Sequence, residues 1–329
     1  MKRREMLKWA AATAAVLAAR PRSAFAEAPA APAQAPTNAP AIPRRPFGKS
    51  GVELSIIGFG GMVLGRMDQD ASNRLVAEAV ERGVNYFDVA PEYGDAEVKM
   101  GPALEAYRKK VFLACKTAQR TAEGARAELA RSLARLKTDH FDLYQLHHIR
   151  SAQDDVDAVF AKGGAWDLIQ EARKDGRIRH VGFSAHTEEA AVAALDRFEF
   201  DSVMFPLNFA SWYGANWGRR ILEKAKAKGT AVFAIKALAR QRWPKGPREA
   251  GPFARMWYQP LADPQEQAMS VRWTLSQGAT AILPPHNDVL HRRAFEIGLA
   301  YAPITPAETE QLRKLAGTVD PLFKPGAEP

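Results

Sequence analysis

From residue 56 onward the chain repeats one pattern eight times: a short apolar run, then a longer amphipathic stretch. The apolar runs fall at residues 56–60, 84–88, 111–116, 141–147, 180–184, 202–205, 231–235 and 280–283. Each is of the length and composition that a fully buried parallel strand requires. The amphipathic stretches, at residues 73–82, 97–107, 122–136, 165–175, 187–196, 217–228, 263–277 and 288–300, space their apolar positions as helices do. Eight β–α units in about 250 residues predict an α/β chain closed into a (β/α)8 (TIM) barrel; a doubly wound sheet typically uses five or six strands. The Gly48-Lys49-Ser50-Gly51 turn between short apolar stretches predicts an N-terminal hairpin, and the stretch Pro306–Ala316 predicts an extra C-terminal helix with no strand after it.

The residues before the barrel divide in two. Lys2, Arg3, Arg4 and Lys8 precede an apolar stretch over residues 9–19, shorter than the roughly 20 residues a membrane span needs. Ser23-Ala24-Phe25-Ala26 ends in an A-x-A cleavage pattern, so residues 1–26 read as a signal peptide rather than a stable membrane anchor. Arg3-Arg4 followed by Glu5-Met6-Leu7-Lys8 resembles the twin-arginine export signal, which implies the twin-arginine export machinery as a partner and the periplasm as destination. Residues 27–44, alanines punctuated by prolines, read as an extended tether, and residues 45–320 as the barrel domain. Lys and Arg outnumber Asp and Glu by 46 to 37, a net +9 that raises the question of nucleic acid. Six of those cations, against one carboxylate, lie in the leader; its removal leaves +4, and no nucleic-acid partner is expected. The single cysteine, Cys115, excludes an intrachain disulfide and any cysteine-based zinc or iron–sulfur centre.

Chemistry gathers at successive strand ends. Asp88 closes the second barrel strand, Tyr93 follows five residues later, Lys116 closes the third strand and His147 the fourth. A barrel brings such positions to one mouth. A phenol with pKa near 10 needs a neighbouring cation to favour its phenolate and release its proton, and Lys116, held by Asp88, would supply one. His147 would orient a carbonyl and donate a hydrogen bond as charge develops on its oxygen. No side chain can supply the hydride that reduces the carbon, so a nicotinamide is implied. Two long connections, residues 148–164 and 237–262, leave strand carboxyl ends and are expected to wall the substrate pocket.

The segments Asn85-Tyr86-Phe87-Asp88-Val89-Ala90-Pro91-Glu92-Tyr93-Gly94, Lys116-Thr117, Asp142-Leu143-Tyr144-Gln145-Leu146-His147 and Gly182-Phe183-Ser184 together resemble the aldo-keto reductase family, over roughly residues 45–316 and in order. The resemblance implies Tyr93 as proton donor, Lys116 and Asp88 as the groups that tune it, and His147 as the group that orients the carbonyl. It further implies NADP(H), or NAD(H), lying across the carboxyl face in contact with Gly61, Met62, Ser184, Lys236, Leu238 and His286. A small carbonyl or alcohol would be the substrate, and no metal is expected. The sequence departs from the family at Ala185, where an asparagine is usual, at Met204, where a glutamine is usual, and at Pro284-Pro285-His286-Asn287 in place of the 2′-phosphate clamp. These departures keep open a second reading, a periplasmic binding or sensory barrel with a decayed cofactor groove and no turnover.

Other residues have plainer expectations. His148 beside His147 suggests a metal pair, but neighbours on a strand point to opposite faces, so His148 is expected to face away as a solvated or hydrogen-bonded histidine. His186, His286 and His291 lack metal-ligand spacing and read as structural. Cys115 should likewise point away from the site. Gly58-Phe59-Gly60-Gly61 fails the G-x-G-x-x-G pattern at Val63, against a Rossmann reading. Trp212, Tyr213 and Trp217, in a glycine-containing loop after the sixth strand, are expected to form a substrate or nicotinamide platform.

Overall fold

The computed structural model describes residues 41–326, apart from residues 247, 249 and 250. The expected signal peptide with its twin arginines, and the expected tether up to residue 40, lie outside the described residues.

All eight apolar runs contribute to one parallel sheet. A hairpin of β1 (Arg44–Pro46) and β2 (Glu53–Ser55) leads into β3 (Phe59–Gly60), β4 (Tyr86–Asp88), β5 (Phe112–Thr117), β6 (Phe141–Ile149), β7 (Ile178–Ala185), β8 (Ser202–Pro206) and β9 (Ala231–Ile235). A small antiparallel ribbon of β10 (Ala239–Gln241) and β11 (Gln259–Pro260) precedes the last barrel strand, β12 (Ala281–Leu283). The strands β3 to β9 and then β12 are neighbours in sequence order. The two edges meet where Gly58 N donates to Ile282 O at 2.8 Å and Ile282 N to Ile56 O at 2.9 Å, which closes a (β/α)8 barrel.

The helices are α1 (Gln69–Glu81), α2 (Ala96–Leu104), α3 (Ala122–Arg135), the single turn α4 (Ala158–Phe160), α5 (Ala165–Lys174), α6 (Glu188–Arg197), α7 (Phe209–Ala215), α8 (Arg219–Lys228), α9 (Pro264–Ser276), α10 (Asp288–Leu299) and α11 (Pro306–Ala316). Their starts are signalled locally: the side chains of Asp68, Thr121, Thr187, Asn287 and Thr305 each accept a first-turn N–H, and Thr305 with Glu308 completes a capping box. No described helix is long and apolar enough to cross a membrane.

Strand alternation divides the core into two layers. Tyr86, Phe112, Ala114, Leu143, Met204, Phe233 and Leu283 fill the barrel's interior, while Phe87, Leu113, Cys115, Tyr144 and Phe183 face the helices. Phe47, from the hairpin turn, packs on Phe112 and Phe233 with ring centroids 5.2 and 5.7 Å apart, plugging the amino-terminal end of the barrel. Burial of apolar side chains extends from Ile42 to Phe323, slightly outside the expected 45–320 at both ends.

One sequence expectation is overturned here. Residues 209–215 form α7, capped by Asn208 and ended by Asn216 at φ 53°, not a loop at the mouth. Trp212 and Tyr213 pack on Trp273 of α9, and Trp217 is buried between Phe205 and Phe323. None of the three lines the cleft at the carboxyl face, so they form no platform there. The aromatic side chains serve helix packing because a helix, once formed, turns that face toward α9 and α11.

Candidate active site

The carboxyl ends of the strands surround a cleft of about 360 Å³. Inward-facing alternation carries Asp88 (β4), Lys116 (β5), Gln145 and His147 (β6) and Ser184 (β7) toward it, one layer above the apolar interior. Tyr93 enters from the loop between β4 and α2. That loop can turn back over the strand end because Gly61 leaves room beneath it: a Cβ on Gly61 would stand 2.8 Å from Asp88 O.

Asp88 and Lys116 form a fully buried ion pair, and Lys116 Nζ also donates to Val89 O at 3.2 Å. The second Asp88 oxygen accepts from Gln145 Nε2 at 3.0 Å and from Tyr86 Oη at 3.3 Å. A buried carboxylate with this many donors is satisfied where an unpaired one would cost several kcal/mol. Tyr93 Oη lies 3.5 Å from His147 Nε2, and Lys116 Nζ stands 5.2 Å from the centre of the Tyr93 ring.

The electrostatics differ from the sequence expectation in one respect. Burial pushes the Tyr93 phenol above its ordinary 10, and the Lys116 ammonium pulls back only part of that shift. Tyr93 is therefore a protonated phenol at neutral pH. Burial pulls Lys116 down, but Asp88 and Tyr93 together hold it above its usual value, so it stays charged. His147 is held well below 6.5, first by burial and then by Lys116, and is a neutral imidazole.

The strand-alternation argument fails at His148. It adopts φ 58°, a left-handed conformation that breaks the pleat, and the β6–β7 register shifts between Leu146 and Ile149. His148 consequently faces the same cleft as His147, with ring centroids 4.0 Å apart. Two contacts hold the bulge. Arg120 donates to His147 O at 2.8 Å and His148 O at 3.3 Å while pairing with Asp155 at 2.8 Å, and His148 N donates to Ser184 Oγ at 3.0 Å. His186, expected to be structural, also lines the cleft, 4.9 Å from the His148 ring; His291 lies in the core beside Phe59.

Among the expected cofactor contacts, Met62, Ser184, Lys236 and His286 line the cleft. Gly61 is buried beneath it, and Leu238 lies in the hydrophobic core, its carbonyl accepting from Leu261 N at 2.9 Å. Met204 lines the cleft with a thioether where an amide was usual. Both long connections do wall the site: Arg150 comes from one, and Trp257 and Tyr258, at β11, from the other. Lys236 Nζ sits 5.3 and 5.5 Å from the centres of those two rings. Burial lowers its pKa from 10.5 to about 8, and no carboxylate pairs with it among the described residues. Sequence reasoning missed Gln145, Tyr86, Arg120 and Glu92. Gln145 was within reach, being two residues before His147 on the same strand face, whereas nothing in the sequence joins Arg120 to residues 147, 148 and 155.

The sequence model described as the Aldo/keto reductase family matches residues 56–279, more than half of the chain. The chain belongs to the aldo/keto reductase family. It is 28% identical to L-galactose dehydrogenase of Arabidopsis thaliana over 215 residues, 60% of this chain and 66% of that protein. It is 31% identical to 6-dehydroglucose reductase of Novosphingobium aromaticivorans over 175 residues, 47% of this chain and 55% of that protein. The match thus covers less than two thirds of either relative's length. Among solved structures, the holo form of aldo-keto reductase AKR11C1 from Bacillus halodurans superposes with a TM-score of 0.65 at 22% identity, covering 83% of this chain and 96% of that one. That likeness shows that this aldo/keto reductase has the same barrel fold.

Proposed function

We propose that the chain is an NADP(H)-dependent oxidoreductase that transfers hydride between the nicotinamide and a small carbonyl or alcohol, with Tyr93 as the general acid. The observation that carries this reading is the Tyr93 hydroxyl in the cleft, 3.5 Å from His147 Nε2 and with the buried Lys116–Asp88 pair beside its ring. The residues present fit a dinucleotide at the anionic end: Lys236 is a cation with no carboxylate of its own, on a wall shared with Ser184, Met62 and His286. When bound, the cofactor supplies the hydride.

The chain's own residues do the rest. His147 Nε2 and Tyr93 Oη converge on one point in the cleft, where a carbonyl oxygen can accept from both. Tyr93 passes its proton to that oxygen as the carbon is reduced, and the Lys116 ammonium stabilises the phenolate that remains. Asp88 keeps Lys116 charged and in place. Ser184 Oγ already accepts from His148 N, so its own O–H is free to donate into the cleft. A sugar-like, polyhydroxylated substrate suits a wall of His148, Arg150, Trp257 and Tyr258. The two relatives named above, L-galactose dehydrogenase and 6-dehydroglucose reductase, act by name on sugars and point the same way. We further propose export of the folded protein to the periplasm by the twin-arginine route.

The test is NADPH and NADH oxidation with a panel of sugar aldehydes and ketones, on the wild type and Tyr93→Phe. Turnover dropping by about 10²-fold or more, with nucleotide affinity retained, supports the assignment. No nucleotide binding by the wild type, or equal turnover by the variant, overturns it.

A further inference from the structure

The left-handed turn at His148 sets that ring beside His147 and Glu92, and neither His148 nor Glu92 has a part in the proposed hydride step. Glu92, His147 and His148 each offer a ligand atom, all within 4.8 Å of one another, and both histidines line the cleft. His147 is only 2% exposed, yet its Nδ1 is buried without a hydrogen-bond partner. Glu92 Oε2 stands 2.6 Å from that nitrogen without forming a well-aligned hydrogen bond to it. An imidazole nitrogen and a carboxylate oxygen this close need a positive charge between them, either a shared proton or a metal ion. To bind one ion at the ~2.0–2.1 Å of tetrahedral zinc, the half-exposed Glu92 side chain would swing its oxygen from the 2.6 Å contact out to roughly 3.3 Å from Nδ1. The backbone of the site is already fixed: Arg120 holds the carbonyls of His147 and His148, and Ser184 Oγ holds His148 N. His186, with its ring centroid 4.9 Å from that of His148, stands outside this group of three.

We propose that Glu92, His147 and His148 form a binding site for one divalent transition-metal ion that favours imidazole and carboxylate ligands, Zn²⁺ foremost. The ion takes His147 through Nδ1, which places that ring's proton on Nε2, the nitrogen facing Tyr93 Oη. Three protein ligands leave a coordination position open toward the cleft. The site stands on these donors alone, whether or not the chain is a reductase.

The probe is Co²⁺, titrated into tag-free, chelator-treated protein and followed by the visible d–d absorption of the ion in a low-coordinate nitrogen and oxygen site, with Zn²⁺ then added to displace it. The expected result is one equivalent of Co²⁺ per chain, bleached by Zn²⁺. Glu92→Gln and His148→Asn should each weaken affinity by about tenfold or more. Asparagine tolerates the left-handed conformation at 148, and Glu92 is exposed, so both variants should unfold at wild-type temperatures. Absence of d–d bands in the wild type overturns the proposal. So does wild-type affinity in both variants, which would place the ion elsewhere.

Discussion

At the residue scale, the site is a balance between burial and charge. Tyr93 is kept protonated by burial even with Lys116 beneath it, and His147 is kept neutral. The pH dependence follows. Carbonyl reduction needs the phenol's proton, which is present below the raised Tyr93 pKa and lost above it, and His147 changes charge only well below 6.5. The rate of reduction at saturating substrate should therefore stay flat from about pH 6.5 to 9, falling only as Tyr93 ionises above its ordinary value near 10. A step near 6.5 in the kcat profile would contradict this. Lys236 makes the opposite kind of prediction. Its pKa, lowered from 10.5 to about 8 by burial, means the unfolded chain binds its proton more tightly, so the ammonium costs stability wherever it is charged in the fold. Each unit is worth about 1.4 kcal/mol. Lys236→Met should therefore raise the Tm of the nucleotide-free protein at pH 7 by an amount that is largest below pH 8 and fades toward pH 10.5, while weakening nucleotide affinity. Calorimetry across that range measures it. Asp88, Lys116, His147 and Ser184 were legible because their strands alternate regularly. His148 was not, because one positive φ reversed the face its side chain meets, and residue type alone does not announce that at a histidine.

At the scale of elements, the eight strands were legible to within three residues because each apolar run is bounded by polar loops and must be buried on both faces. The elements that escaped are those whose shape depends on tertiary contacts. The helix α7 begins in a stretch rich in aromatic residues and glycine, and its placement depends on Trp273, sixty positions on. The ribbon β10–β11 is only a few residues wide and exists because Leu261 N reaches back to Leu238 O. Two elements invite substitution. Phe47 plugs the barrel floor while fully buried, so Phe47→Ala should cost about 3–5 kcal/mol, read by denaturant unfolding with the m-value unchanged. Arg120 serves the bulge at the end of β6, where it is the shared donor to His147 O, His148 O and Asp155. Arg120→Met leaves those acceptors without it, at a cost of about 1–3 kcal/mol. Because both carbonyls belong to residues of the cleft, the variant should also raise KM more than it lowers kcat. Equal loss in both would place the effect on Tyr93 chemistry instead.

At the scale of the whole molecule, the net charge and the proposed export by the twin-arginine route bear on the same question. The +9 of the full chain is concentrated in the first 26 residues, and the chain from Glu27 onward carries only +4, an ordinary balance for a protein of this size. The barrel's own cations are mostly consumed by structure: Arg108 and Arg179 pair with Asp142, Arg126 with Glu171, and Arg272 with Glu308. Lys236, without a carboxylate, stands out among them, and it is on the cleft wall. A twin-arginine leader matters to such a cleft because that route carries folded proteins. A nucleotide that is made in the cytoplasm and bound before transport would travel inside the barrel, whereas one that dissociates would be left behind. Retention then depends on how tightly the cleft, with Lys236 on its wall, holds the nucleotide's phosphates. Expressed with its own leader, the protein should be recovered from the periplasm starting at Glu27, and paired Arg3→Lys and Arg4→Lys substitutions should leave it in the cytoplasm. Native mass spectrometry of the periplasmic protein should show one nucleotide per chain, reduced in amount by Lys236→Met. A periplasmic protein that is free of nucleotide but gains it on incubation with NADPH would mean that turnover depends on cofactor supplied after export.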